Sequence, residues 1–107
     1  MVQGVEDFEK RIGELPAVLT YFSVPSCNVC QVLKPRTEKL ISENFPFMEF
    51  LYVDSEQNPE IAALNGVFTS PVILVFFNGK EYIRKSRVID LEQLKGEILR
   101  LYNLMFS

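Results

Sequence analysis

The sequence contains no histidine and no tryptophan, and only two cysteines among its 107 residues. Without histidine there is no Cys-His or Ser-His nucleophile pair and no His-ligated metal site. Two cysteines, three positions apart, are too few and too close for a disulfide-stapled secreted domain. They are also half of the usual structural zinc set, so zinc would need a dimer sharing four thiolates. Positive charge is scarce as well. Eleven Lys and Arg against fourteen Asp and Glu leave a net charge of −3, which is no footprint for a nucleic-acid backbone or an anionic membrane. Long apolar runs are missing: away from the termini the longest is Val72 to Phe77, too short to span a bilayer. The amino end, with Glu6, Asp7, Glu9, Lys10 and Arg11, lacks the basic start and apolar stretch of a secretory signal. The expectation is a soluble cytoplasmic protein.

What is present reads as one globular domain over residues 1–107, with 48% hydrophobic and 23% charged residues. Val5, Phe8 and Ile12 stand at helical spacing, with Gly13 as the expected stop. Ala17 to Ser23 reads as a buried strand, broken by Pro25 and Ser26. A helix is expected from Cys27 to about Glu43, kinked by Pro35, followed by a strand from Phe47 to Val53. Asn58-Pro59 signals an N-cap and first helical residue, and Asn65-Gly66 the stop. Val72 to Phe77 is a central strand, joined by an Asn78-Gly79 hairpin to a last strand from about Glu81 to Val88. Asp90 and Gln93 form a capping-box pattern before the final helix. The predicted order is αβαβαββα: an α/β fold with a mixed four-stranded sheet flanked by helices, with room for a short fifth strand at the amino end.

The chemistry concentrates at Cys27-Asn28-Val29-Cys30, which follows a strand and opens a helix. Residues three apart on a helix lie close enough to close a disulfide. The helix N-terminus stabilises a thiolate, so Cys27 is the expected nucleophile and the more buried Cys30 the resolving thiol. A purely structural bridge is the competing reading. Closing so short a loop removes only about 2 kcal/mol of unfolded-state entropy, a weak reason to keep the pair.

With these features the chain resembles the thioredoxin family over almost its whole length. The resemblance rests on the helix-opening Cys27-Asn28-Val29-Cys30, Pro35 five residues further on, Asp54 with Asn58-Pro59, and Ser70-Pro71 before an apolar strand and Asn78-Gly79. It implies a thioredoxin-like fold, a cis Pro71, and a substrate segment bound as an added strand along Ser70. It also marks departures. The family's usual site is similar to Trp-Cys-Gly-Pro-Cys; here Ser26 replaces the tryptophan, and Asn28-Val29 replaces Gly-Pro. The family's buried aspartate aligns with Tyr21 and its partner lysine with Phe50. Neither glutathione-site residues nor the Thr-Val-Pro pattern of glutaredoxins is present.

The expected site is therefore Cys27 and Cys30 as the redox pair, Ser26, Ser70 and Pro71 for substrate, and Pro35 and Tyr21 behind them. The resemblance implies a thiol–disulfide oxidoreductase that reduces protein disulfides, needs no cofactor beyond its own dithiol, and is recycled by a thioredoxin-reductase-type enzyme. A monomer is expected, without nucleic-acid or membrane partners. The second reading is a non-catalytic adapter that binds a partner along Ser70-Pro71. Phe45, Phe47, Phe50, Phe76 and Phe77 are expected in the core. Arg84, Lys85 and Arg87 are expected to be a solvated, aggregation-blocking edge.

Overall fold

Alternation along one strand sorts the side chains of this protein into two cores. The computed structural model describes residues 2–106. Strand β1 (Ala17–Ser23) is buried along its full length, as is β3 (Val72–Phe77). Successive side chains on a strand point to opposite faces. On one face Ala17, Leu19 and Tyr21 of β1 join Ile73, Val75 and Phe77 of β3. They pack against Cys30, Leu33 and Ile41 of helix α2 (Asn28–Asn44) and Leu94, Ile98 and Tyr102 of α4 (Leu91–Phe106). On the other face Val18 and Phe22 join Val72, Leu74 and Phe76, covered by Phe8 and Ile12 of α1 (Val5–Glu14) and Ile61 and Ala62 of α3 (Pro59–Leu64).

The sheet runs β2-β1-β3-β4, where β2 is Glu49–Asp54 and β4 is Lys80–Ser86. β1 pairs with β2 in parallel and with β3 antiparallel, and β3 pairs with β4 antiparallel. The mixed four-stranded sheet and the element order are those expected from the sequence. Among the described residues no strand precedes α1, so the short fifth strand is not formed. No helix among them is long and apolar enough to cross a membrane.

The differences lie at element ends, and each has a local cause. Gly13 does not stop α1, which runs to Glu14; the stop comes from Pro16, which holds Leu15 extended at φ −88° and ψ 138°. β2 starts at Glu49 rather than Phe47, because the Phe47 N–H is taken by the Tyr102 hydroxyl at 2.9 Å. Phe47 is 62% exposed and outside the core, stacked on Tyr102 and tilted against Phe106. Asn58 stands at the N-cap of α3 without capping it; its Nδ2 donates to the Asp54 carbonyl. At α4 the Asp90 carboxylate does cap, accepting the Glu92 and Gln93 N–H groups at 3.0 and 3.2 Å. The hairpin places Asn78 and Gly79 at φ 52° and 83°, the left-handed pair a two-residue turn requires. β4 ends at Ser86 because Arg87, at φ 66°, leaves the extended region.

Candidate functional site

The loop after β1 delivers Cys27 to the head of α2 in an extended conformation, φ −84° and ψ 103°. There its Sγ accepts the Cys30 N–H at 3.2 Å, so sulfur occupies the place of the oxygen in an ordinary N-cap. Cys27 and Cys30 are joined as a disulfide with Cα atoms 5.3 Å apart, inside the range that closes without moving the backbone. No acidic residue stands in the first turn of α2. Once the bond is reduced, the same N–H and the positive helix end favour the Cys27 thiolate. The two sulfurs differ in access: Cys27 is half-buried, whereas Cys30 is 1% exposed.

Tyr21 lies behind Cys30, on the face of β1 that meets α2. Its hydroxyl donates to the Cys30 carbonyl at 2.9 Å. Its ring lies 6.0 Å from that of Phe50 and 6.3 Å from that of Tyr52, over which the Lys34 ammonium sits at 4.9 Å. Burial, with the neighbouring Tyr52 adding, pushes the Tyr21 phenol up to about 12. The phenol therefore keeps its proton and directs it at a backbone oxygen. That makes it a strut rather than a base. Among the described residues no Asp or Glu is buried, so no buried carboxylate stands beside Cys30.

Pro35 sits inside α2, which continues through it to Asn44. The proline withholds the N–H that the Gln31 carbonyl would otherwise receive. One turn on, Thr37 Oγ1 donates to the Leu33 carbonyl at 2.9 Å. Pro35 is exposed and does not face the groove described next.

A groove of about 620 Å³ opens beside the disulfide with Cys27 at its head. Val29, Val32, Leu33 and Arg36 of α2 form one wall. Ser70 and Pro71, whose peptide bond is cis, form the other together with Arg87, Val88 and Ile89. The Arg87 N–H donates to the Pro71 carbonyl at 2.9 Å, tying the two segments of that wall together. Ser26 is exposed next to Cys27 but does not line the groove.

Besides Arg87, expected at a solvated edge, six wall residues were not assigned to a site from the sequence: Val29, Val32, Leu33, Arg36, Val88 and Ile89. The first four were accessible in principle, because positions 29, 32, 33 and 36 follow the i, i+3, i+4, i+7 spacing of one helix face. The basic residues of β4 and its end do not act as one edge. Arg84 pairs with Glu81 at 2.8 Å and donates to the Asn65 carbonyl, and Lys85 pairs with Glu97 at 2.8 Å. Arg87 lies in the groove.

Comparison with known proteins agrees with this geometry. The Thioredoxin family model matches residues 1–100. The thioredoxin-like protein YdfQ of Bacillus subtilis is 33% identical over 84 residues, covering 78% of this chain and 74% of that protein. The NADPH-dependent thioredoxin reductase 3 of Arabidopsis thaliana is 33% identical over 98 residues, although the chain spans only 18% of that protein. Among solved structures, Fasciola hepatica thioredoxin superposes with a TM-score of 0.79 at 33% identity, covering 89% of this chain and 91% of that one. A strand-to-helix dithiol, the fold around it and a family match along most of the sequence agree, and the chain belongs to the thioredoxin family.

Proposed function

We propose that this protein reduces protein disulfides, as a cytoplasmic monomer. Family membership and the Cys27–Cys30 pair support a thiol–disulfide oxidoreductase in general. The observation that carries the finer reading is the Cys27 sulfur capping α2 at the mouth of an open apolar groove. In the reaction the Cys27 thiolate attacks one sulfur of the substrate disulfide, and the other substrate sulfur leaves as a thiolate. Cys30, losing its proton, then attacks Cys27 Sγ. The second substrate thiolate departs, the Cys27–Cys30 bond forms, and two electrons have passed to the substrate. Ser70 and Pro71 offer backbone along which an extended substrate segment lies, with Ser26 at the edge nearest Cys27. The protein holds its redox equivalents in the dithiol alone. A thioredoxin-reductase-type enzyme returns them, in keeping with the similarity to a segment of a plant enzyme of that name.

The exposed apolar walls also favour a second reading, an adapter that binds a partner without turnover. The Cys30→Ser variant separates the two. A reductase lacking its resolving thiol accumulates mixed disulfides with substrate proteins, far above the level with Cys27→Ser, and the parent protein accelerates insulin reduction by dithiothreitol. Equal trapping by the two variants, with no acceleration of insulin reduction, would leave the adapter.

A further inference from the structure

We propose that Arg36 and Arg87 make the groove selective for substrate segments carrying a carboxylate side chain near the reacting cystine; this rests on the reductase reading above. The two arginines face the groove from opposite walls, and no acidic residue lines it. Among the described residues neither guanidinium forms an ion pair, although Arg84 and Lys85 close by are both paired. The remaining lining is largely apolar, so charge complementarity in the groove has one sign. It opposes the whole chain, whose net charge of −3 would by itself repel an acidic segment.

Arg87 adds an independent observation. At φ 66° it holds a left-handed conformation that glycine adopts freely and arginine does not. The Arg87 N–H bond to the Pro71 carbonyl needs only a backbone, which glycine also supplies. The arginine at this position is therefore accounted for by its side chain, and that side chain lines the groove. Strain of this kind collects where a side chain is needed for binding.

Spacing defines the segment. Arg36 lies nine residues along α2 from Cys27, or about 13 Å at the helical rise. An extended peptide covers that distance in about four residues, and the arginine's reach shortens it. The carboxylate thus belongs two to four residues from the reacting cysteine. It makes charge-assisted hydrogen bonds to a guanidinium while the apolar flank of the segment covers Val29, Val32 and Val88.

The test uses short peptides in which one cysteine is joined to 2-thiopyridine, differing only by Glu or Gln two to four residues from it. Attack by Cys27 on the peptide sulfur releases pyridine-2-thione, read by absorbance. The Glu peptide is expected to react about three- to ten-fold faster than the Gln peptide at low salt, with the ratio approaching one at about 1 M salt. Arg36→Gln and Arg87→Gln should each lower the ratio, and together bring it to about one. Arg87→Gly removes the side chain without backbone strain and should lower it as Arg87→Gln does. Arg36→Glu combined with Arg87→Gln should turn the preference toward a Lys peptide. A ratio of one in the parent protein overturns the proposal. So does an equal slowing of both peptides in the arginine variants, which would mean that the arginines act on the Cys27 thiolate and not on substrate. If neither peptide reacts faster than with Cys27→Ser, the reductase reading falls and takes this proposal with it.

Discussion

Replacing Tyr21 with phenylalanine separates its role as a strut from any role in proton transfer. Tyr21→Phe keeps the ring between Phe50 and Tyr52 and deletes only the hydroxyl that donates to the Cys30 carbonyl at 2.9 Å. Losing one buried hydrogen bond costs about 1–2 kcal/mol at neutral pH, or roughly 5–10 °C in Tm for a domain of this size. The pH dependence runs the other way. The phenol is raised from 10.0 to about 12 in the folded protein, so its contribution is complete below pH 10. Between pH 10 and 12 the unfolded chain has released the proton and the folded chain has not. Stability therefore falls as pH rises, by up to about 3 kcal/mol for a shift of that size. The variant has no such proton to lose. Urea unfolding of the two proteins from pH 7 to 12 should show the parent more stable at neutral pH and the curves crossing above pH 10. A difference that stays flat to pH 12 would refute the buried, donating phenol. The resolving step should be almost unaffected in Tyr21→Phe. Slowing of a hundred-fold, the scale of a lost general acid or base, would show that the phenol moves the proton after all.

Other outcomes follow from the same geometry. In the reduced protein at neutral pH, iodoacetamide should label Cys27 much faster than Cys30, because only Cys27 is accessible at the helix end; equal rates in peptide mapping would remove the assignment of roles. Tyr21→Asp should speed the resolving step by placing a carboxylate behind Cys30, while losing the ring costs about 3–5 kcal/mol. Stopped-flow release of substrate that is no faster would show that another group takes the proton. Gly79→Ala should cost about 1–2 kcal/mol in urea unfolding from its φ of 83° alone, since a Cβ there meets nothing closer than 3.9 Å. A neutral result would mean that the hairpin relaxes to another turn.

The fold was legible because its strongest signals are local. Ala17–Ser23 and Val72–Phe77 are compact runs of β-branched and aromatic residues, and both strands form with those bounds. Asn78-Gly79 and Gly66 supply the left-handed residues that close a hairpin and a helix. Signals that depend on a distant partner were not legible. Nothing near Phe47 reveals that its N–H meets Tyr102, which is 55 residues away. The dithiol could be placed from Cys27 and Cys30 alone, and Tyr21 from the resemblance, which aligns it with the family's buried aspartate. The resemblance placed the Ser70-Pro71 side of the groove; the rest was not legible, because Val88 and Ile89 become a wall only after α2 and the Pro71 segment are brought alongside them. Arg87 looked like one more exposed charge at the end of a strand; its conformation and its position over the groove are tertiary facts.

The bond from the Arg87 N–H to the Pro71 carbonyl has a consequence for how this surface can change over time. Main-chain atoms fix the spacing between the segment that starts β3 and the segment that leaves β4, so the side chains at 87 and 88 carry none of that burden, whereas Ile89 packs against the core. Val88, 97% exposed, contributes almost nothing to packing. Positions 87 and 88 can therefore be rewritten at little cost to folding, as antibody loops vary on a constant frame. A lineage could retarget the groove by substitutions on this rim while Cys27, Cys30 and Tyr21 stay as they are. An engineer could do the same, using a library confined to residues 87 and 88.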